Sequence, residues 1–378
     1  MPDHKGFGLY VHWPFCQAKC PYCDFNSHVT SKVNHLRWSN AFVSEIERLG
    51  SETQGRVLDS IFFGGGTPSL MSPETVDSIL SAAFAQWNKS NSIEITLEAN
   101  PTSVEVGKFR DFKSAGINRV SVGLQALNDG DLRLLGRLHS AEEGRRAFDV
   151  AQKVFSRASF DLIYARQNQS VPTWKEELAK AIAMGASHMS LYQLTIETGT
   201  MFGDRHARGR LPGIPNDDLS AAMFDLTQEL TTAAGLPPYE ISNHATPGEE
   251  SVHNLNYWRS GDWVGVGPGA HGRLTIAGRR NATSCPDSPT KWLTSVEKGS
   301  GEHSRELLSK VEEHTEGVMM GLRKSEGISL DQIGTDLEKI SYINGLTDYP
   351  LLEIAEARIR LTPAGRPLLN SVLRELLA

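Results

Sequence analysis

Six short runs rich in β-forming residues recur through the first two thirds of the chain, and stretches with helical periodicity follow several of them. The runs cover residues 7–12, 58–63, 93–98, 118–122, 159–164 and 187–194. Strands that alternate with helices predict a parallel sheet joined by right-handed crossovers. The fold class is therefore α/β, as either an open doubly wound sheet or a barrel.

Residues capable of chemistry are found at or just beyond the C-terminal ends of these predicted strands. Three cysteines follow the first strand, and a run of glycines at 64–66 follows the second. Glu98 ends the third strand, Gln125 follows the fourth, and Asp161 lies in the fifth. The C-terminal ends of parallel strands share one edge, where ligands bind in barrels and open sheets alike. We therefore expect one composite site.

Cys16, Cys20 and Cys23 are separated by three and then two residues. Disulfide pairing would leave one of them over, and a tetrahedral zinc site normally needs a fourth ligand. Three thiolates at this spacing can instead hold three irons of a [4Fe–4S] cluster and leave the fourth iron open. Reduced surface cysteines in a turn are one alternative, and a zinc knuckle completed by His12 or Asp24 is another. The spacing favours the cluster.

The glycine run is followed by Thr67 and Pro68. Consecutive glycines permit positive φ and a close approach of ligand to backbone. A phosphate-binding P-loop is disfavoured because no Gly-Lys-Ser/Thr follows. A simple turn is the alternative. Next to the cysteines, backbone amides and carbonyls here are placed to bind a small zwitterion by its amino and carboxylate groups.

Composition excludes several classes of protein. The net charge of −7 over 378 residues gives no electrostatic case for nucleic-acid binding. Cys285 is too isolated to imply a disulfide framework, so a reducing, cytoplasmic location is expected. The sequence shows no signal-peptide core and no apolar run of membrane-spanning length. Peripheral association with a membrane stays open.

The length predicts one large or two unequal domains. We expect a barrel over residues 1–236 and a loop-rich segment over 237–303 that wraps its open side. Residues 304–378 are predicted to form a small, mainly helical, winged-helix-like domain. Its helices are expected at 306–322 and from Thr362 onward. A structural cap on the barrel and a partner-binding domain are both open roles for it.

Together, the cysteine spacing and the glycine motif resemble the radical S-adenosylmethionine (SAM) superfamily. Within it, nearly the whole chain from Tyr10 onward is similar to the oxygen-independent coproporphyrinogen III oxidase-like family. The resemblance implies a partial (β/α)6 radical SAM barrel. It also implies that Cys16, Cys20 and Cys23 bind a [4Fe–4S] cluster whose open iron is chelated by SAM. In that family, the reduced cluster cleaves SAM to methionine and a 5′-deoxyadenosyl radical.

Matching the family's motifs residue by residue implies further cofactor contacts. The implied SAM-binding residues are Tyr10, Tyr22, Gly65, Gly66, Thr67, Glu98, Gln125, Arg137 and Asp161. For Arg137 and Asp161 a structural ion pair is an open alternative.

Two departures from the oxidase pattern point to the haem-chaperone branch of the family, HemW. Phe25 stands where the oxidase motif continues with a fourth cysteine. The first predicted strand also begins within a few residues of the start of the sequence, whereas the oxidase has an extension before it. His253 then opens a His-Asn-Leu-Asn-Tyr-Trp sequence that fits a motif of that branch. The resemblance implies a protein that binds haem and transfers it to acceptor haemoproteins, with His253 as axial ligand.

Two other functions stay open at this point. One is oxidative decarboxylation of coproporphyrinogen III, and the other is a zinc-binding scaffold with no redox role. A haem-linked homodimer is compatible with the sequence, and the haem acceptor is not identified by it.

Overall fold

The computed structural model describes residues 5–30, 32–101, 106–333 and 337–377. Its strands are β1 (Phe7–Trp13), β2 (Phe15–Cys16), β3 (His28–Val29), β4 (Val57–Gly65), β5 (Asn88–Ala99), β6 (Arg119–Gln125), β7 (Arg157–Tyr164), β8 (His188–Gln193), β9 (Asn243–Ala245), β10 (Asp262–Val266), β11 (His271–Ile276), β12 (Arg279–Ser284), β13 (Ser304–Leu307), β14 (Ile328–Ser329), β15 (Leu352–Ala355) and β16 (Arg358–Leu361). Its helices are α1 (His35–Glu52), α2 (Pro73–Gln86), α3 (Val106–Ala115), α4 (Asp129–Leu134), α5 (Ala141–Val154), α6 (Val171–Ala183), α7 (Met201–Ala207), α8 (Asp217–Ala233), α9 (Val252–Trp258), α10 (Pro289–Val296), α11 (Lys310–Gly321), α12 (Leu330–Ile333), α13 (Leu337–Asn344) and α14 (Leu369–Leu377).

Eleven of these strands form one sheet, in the order β13-β12-β11-β10-β1-β4-β5-β6-β7-β8-β9. The strands from β10 through β8 pair in parallel, and antiparallel strands extend the sheet at both ends. The six predicted strands are β1 and β4 to β8, so the α/β fold class and the parallel core are confirmed. The seventh parallel strand, β10, was not predicted. It comes from the segment expected only to wrap the barrel, and it pairs directly with β1.

Alternation along the strands gives the sheet two different faces. In β1, Leu9, Val11 and Trp13 are fully buried among apolar side chains. The indole of Trp13 packs on Trp38 of α1, with ring centroids 5.8 Å apart. Tyr10 points to the opposite face, which is the concave side of the partial barrel. We call the space on that side the lumen.

Polar caps define where several helices begin. Ser72 accepts a hydrogen bond from the Thr75 amide ahead of Pro73, which starts α2. Ser140 and Glu143 form a reciprocal capping box at the start of α5, a helix that was not predicted.

The C-terminal residues have their own apolar cluster, built from α11, α13, α14 and the sheet β14-β16-β15. The helix predicted at 306–322 begins later, at Lys310, because Ser309 caps it and residues 304–307 pair with β12. The last α-helix begins at Leu369, since residues 366–368 form a 3-10 turn. The three-part domain division stays a prediction.

Candidate functional site

The cysteine loop, which joins β2 to β3, leaves the C-terminal end of β1. Parallel pairing of β2 with β3 holds its ends together, and the His28 amide donates to the Pro14 carbonyl at 2.7 Å. Inside the loop, the Cys23 amide donates to the Cys20 carbonyl at 3.1 Å and closes a turn. Cys16, Cys20 and Cys23 are free, half-buried thiols. One short segment therefore presents all three at the sheet edge.

Residues far away in sequence anchor this loop. The side-chain amide of Asn26 donates to the carbonyls of Pro268 at 2.9 Å and Asp287 at 2.8 Å. At the other side, the Phe202 amide of α7 donates to the Pro21 carbonyl at 2.8 Å. The position of the loop thus depends on the completed fold and not on its local sequence alone.

Two side chains direct donors at the cysteine sulfurs. The Thr67 hydroxyl lies 3.5 Å from Cys16 Sγ, and Arg137 Nη1 lies 3.5 Å from Cys20 Sγ. Arg137 is held in place because its Nη2 donates to the Gly123 carbonyl at 2.9 Å. Burial raises the pKa of the Cys16 thiol, and the Thr67 hydroxyl partly opposes that effect. Such donors stabilise the deprotonated sulfur that binds iron.

The donor set fits a thiolate-held cluster. A cube-shaped cluster takes one thiolate at each of three separate irons, and one loop supplies three thiols. His12, one of the two candidate fourth ligands in the zinc alternative beside Asp24, has both ring nitrogens engaged. Its Nδ1 lies 2.9 Å from the Tyr10 hydroxyl and its Nε2 lies 2.9 Å from the Asn26 carbonyl. In the described part of the chain, no three Cys, His, Asp or Glu side chains are grouped to hold a single metal ion.

The glycine run packs tightly under the cysteine loop. A Cβ on Gly66 would lie 2.7 Å from the Phe15 carbonyl oxygen, and Gly65 has φ of 108°. The Gly66 amide donates to the Trp13 carbonyl at 2.7 Å, and the Thr67 amide donates to the Phe15 carbonyl at 2.8 Å. These amides therefore brace the start of the loop, and only glycine permits the close approach.

Two carboxyl groups, on β5 and β7, point into the lumen beside this turn. Glu98 accepts a hydrogen bond from the Gly65 amide, and Asp161 accepts one from the Ser121 hydroxyl at 3.0 Å. Burial, reinforced by the nearby Asp161, raises the pKa of Glu98 to about 8. Burial also raises the pKa of Asp161 to about 6. Both groups can hold or release a proton near neutral pH, and a cationic ligand would favour their ionised forms.

The remaining predicted contacts connect to the same region. Tyr22 lies beside Arg137 and Cys20, with its ring 6.4 Å from that of Phe202. Gln125 ends β6 with φ of 70°, where the register against β7 shifts.

Within the described residues, no ion pair joins Arg137 to Asp161. Arg137 bonds to Gly123 and Cys20, and Asp161 bonds to the Ser121 hydroxyl. The structure thus brings the predicted SAM-contact residues to the cysteine edge and the adjoining lumen.

His253 lies at the other end of the lumen. Its ring contacts Gly8 of β1, whereas the cysteine loop leaves β1 after Trp13, roughly 17 Å further along the strand. The side chain is 1% exposed. Its Nδ1 lies 2.8 Å from the Ser60 hydroxyl and its Nε2 lies 2.7 Å from the Tyr257 hydroxyl.

Burial lowers the pKa of His253 to about 3, so the imidazole is neutral. A neutral imidazole is the form that binds a metal, yet both nitrogens are occupied by hydrogen bonds. The assignment of His253 as a haem ligand stays a prediction.

A buried charge cluster that was not predicted supports this end of the lumen. Glu94 of β5 pairs with Arg119 and Arg157, each at 2.9 Å. Its other oxygen accepts from the Ser251 hydroxyl and the His253 amide, each at 3.2 Å. Burial raises the pKa of Glu94, but the two guanidinium groups outweigh it and hold the value below its ordinary range. The sequence did contain a sign of this cluster, because polar residues alternate at positions 94, 96 and 98 of β5 and so face the same side of the sheet.

In the described part of the chain, no helix has the length and apolarity needed to cross a bilayer. The sequence profile of the radical SAM superfamily matches residues 10–196.

Among curated proteins, the haem chaperone HemW of Escherichia coli is 41% identical over 270 residues, 71% of this chain and 70% of that protein. HemW of Haemophilus influenzae is 43% identical over 73% of this chain and 72% of its own. The zebrafish protein named radical S-adenosyl methionine domain-containing protein 1, mitochondrial, is 38% identical over 87% of this chain and 76% of its own.

Among solved structures, coproporphyrinogen III oxidase (HemN) from Escherichia coli is similar to this chain with a TM-score of 0.81. The match covers 99% of this chain and 90% of that one, at 19% sequence identity. At this identity the similarity establishes the fold.

Proposed function

Since the chain belongs to the radical SAM superfamily and, within it, to the HemW family, we propose that it is a haem chaperone that transfers haem to acceptor haemoproteins. The observation that carries this is the 41% and 43% identity to two curated haem chaperones over more than two thirds of every chain compared. The 19% identity to the oxidase carries no equivalent argument for that enzyme's reaction.

The cofactors of the superfamily belong at the cysteine edge. We propose that Cys16, Cys20 and Cys23 hold a [4Fe–4S] cluster and that SAM binds beside it. When bound, this pair supplies one-electron reductive chemistry. Arg137 and Thr67 donate to the sulfurs in this proposal. The proposed SAM contacts are those implied by the family: Tyr10, Tyr22, Gly65, Gly66, Thr67, Glu98, Gln125, Arg137 and Asp161.

Haem is proposed to be ligated by His253. The imidazole fits this role in two respects, since it is neutral and one nitrogen already has a hydroxyl partner that can orient it. Aromatic rings also surround it, with Phe62 stacked at 5.2 Å and Tyr10 at 6.4 Å.

Transfer of haem tests the proposal. Purified protein loaded with haem is mixed with apomyoglobin, and the Soret band of the acceptor is followed. Wild type is expected to load the acceptor, and His253→Ala is expected to bind and transfer less haem. His303→Ala, on an exposed histidine, is the matched control. No transfer by wild type would overturn the chaperone function, and unchanged binding by His253→Ala would overturn the ligand.

The alternative reaction is tested separately. Anaerobic incubation with SAM, a reductant and coproporphyrinogen III is expected to leave the porphyrinogen unchanged. Phe25, 59% exposed on the cysteine loop, stands at the position where the oxidase motif has a fourth cysteine. Formation of protoporphyrinogen would contradict a function limited to haem transfer.

We also propose a reducing compartment, specifically the cytoplasm, because the three loop cysteines form no disulfide and must stay unpaired to hold the proposed cluster. The name of the zebrafish relative places that protein in mitochondria.

A further inference from the structure

The imidazole of His253 has one hydroxyl partner on each nitrogen, and the two partners differ in their surroundings. Ser60 lies in β4 and is fully buried against Nδ1. Tyr257 lies one helical turn after His253 on α9 and is only half-buried. The two groups that act electrostatically on the Tyr257 hydroxyl, Tyr10 and Glu98, belong to the lumen. The Nδ1 side of the ring therefore faces the strands β1 and β4, and the Nε2 side faces the lumen.

Neighbouring rings fix the orientation of the imidazole. Phe62 stacks on it at an interplanar angle of 24°, and Tyr10 does so at 29°. Tyr257 itself packs against Trp263 with ring centroids 4.5 Å apart. The ring cannot turn to present a different nitrogen without disturbing this stack. Any metal must therefore approach along the direction that the Tyr257 oxygen now occupies.

We propose that Tyr257 gates haem binding at His253, so that its hydroxyl must leave Nε2 before that nitrogen can bind the haem iron, while Ser60 stays on Nδ1 and orients the ligand. This inference rests on the proposed function. One hydrogen bond is broken and one coordination bond forms, and no electron is transferred. A neutral imidazole that binds iron through Nε2 carries its proton on Nδ1. This Nδ1–H group then donates a hydrogen bond to the Ser60 oxygen.

The two hydroxyls therefore have opposite effects on haem affinity. Tyr257→Phe keeps the ring and its packing but removes the competitor at Nε2. Ser60→Ala leaves a buried N–H without a partner once the iron is bound. A purely structural role for both residues would instead change haem affinity in the same direction, or not at all.

The test is an anaerobic haem titration of the full-length protein, followed by the Soret and visible bands. Tyr257→Phe is expected to bind haem about five- to tenfold more tightly, and Ser60→Ala about tenfold more weakly. The double variant His253→Ala/Tyr257→Phe is expected to match His253→Ala. Tyr239→Phe is the matched control, because its hydroxyl lies 2.9 Å from the ring of another buried histidine, His188.

Each failure has a distinct pattern. Wild-type affinity in Tyr257→Phe, with affinity lost in His253→Ala, would overturn the gate and leave the ligand assignment standing. Tighter binding by Ser60→Ala would mean that iron binds Nδ1, which would also overturn the proposal. Unchanged binding by His253→Ala would overturn the ligand and the gate together, while the apomyoglobin assay reports separately on haem transfer. If Ser60→Ala does not fold, Tyr257→Phe and the double variant decide the question.

Discussion

Replacing Glu98 by Gln is expected to make the ligand-free protein more stable and its SAM binding weaker. The pKa of Glu98 is raised from 4.5 to about 8, chiefly by burial and further by Asp161. A carboxyl that binds its proton more tightly when folded loses stability as the pH rises from its unfolded pKa to its folded one. The loss is absent below 4.5 and complete above about 8.

The magnitude follows from the size of the pKa shift. Each pKa unit corresponds to about 1.4 kcal/mol, so ionisation of Glu98 costs the folded state about 5 kcal/mol above pH 8. About 2.5 pH units of the range between the unfolded and the folded pKa lie above pH 5.5. The folded state therefore loses about 3 kcal/mol of stability between pH 5.5 and pH 8.5. Glutamine does not titrate, and its side-chain carbonyl oxygen can still accept a hydrogen bond from the Gly65 amide.

The assay is urea unfolding of ligand-free wild type and Glu98→Gln at several pH values under anaerobic conditions. The advantage of the variant is expected to grow by about 3 kcal/mol between pH 5.5 and pH 8.5. Glu229→Gln, on the exposed face of α8, is the control and should show no such growth. Asp161 is present in both proteins, so the difference between them reports on Glu98 together with its coupling to Asp161.

SAM binding gives the second half of the prediction. A charge-assisted hydrogen bond is about twice as strong as a neutral one, so the variant should bind SAM about tenfold more weakly. A stability difference that does not vary with pH would refute the description of Glu98 as a buried, proton-holding carboxyl. Unchanged SAM affinity would refute its proposed contact.

Three further predictions concern the cysteine loop and the opposite end of the lumen. Replacing any one loop cysteine by Ala should abolish a stable cluster, measured as bound iron. Cys285→Ala should leave the bound iron unchanged, because Cys285 is buried elsewhere and burial raises its pKa to about 12. Arg137→Met should lower the reduction potential of the cluster in a redox titration, since it removes a positive donor 3.5 Å from Cys20 Sγ, and equal potentials would contradict this. Glu94→Ala should lower the free energy of unfolding by about 3–5 kcal/mol, because Arg119 would stay buried without its partner. A loss no larger than that of the exposed control Glu47→Ala would refute this prediction.

Local sequence determines the parts of this molecule that were predictable. The six strands were found because each is a continuous run of β-forming residues buried on one or both faces. The position of the cysteines after β1 followed from that, as did the position of Glu98 at the end of β5. These features depend on neighbours within a few residues.

The missed features depend on pairings between distant segments. β10 pairs with β1 across more than 250 residues, and no local pattern specifies that partner. The same holds for Glu94, whose charge is compensated by arginines on two other strands. The motif at His253 was recognised, but its hydrogen bond to Ser60 could not be read from residues 193 positions apart.

The two hydrogen bonds of Asn26 set an order of events during synthesis of the protein. Their acceptors lie 242 and 261 residues further along the chain. At 5–20 residues per second, a ribosome needs roughly 10–50 s after making Asn26 before the first acceptor exists. During that interval the loop that carries the three thiols lacks both of these anchors. Stable insertion of the proposed cluster is therefore expected only once the chain has been synthesised beyond Asp287, and the nascent thiols depend on a reducing environment until then.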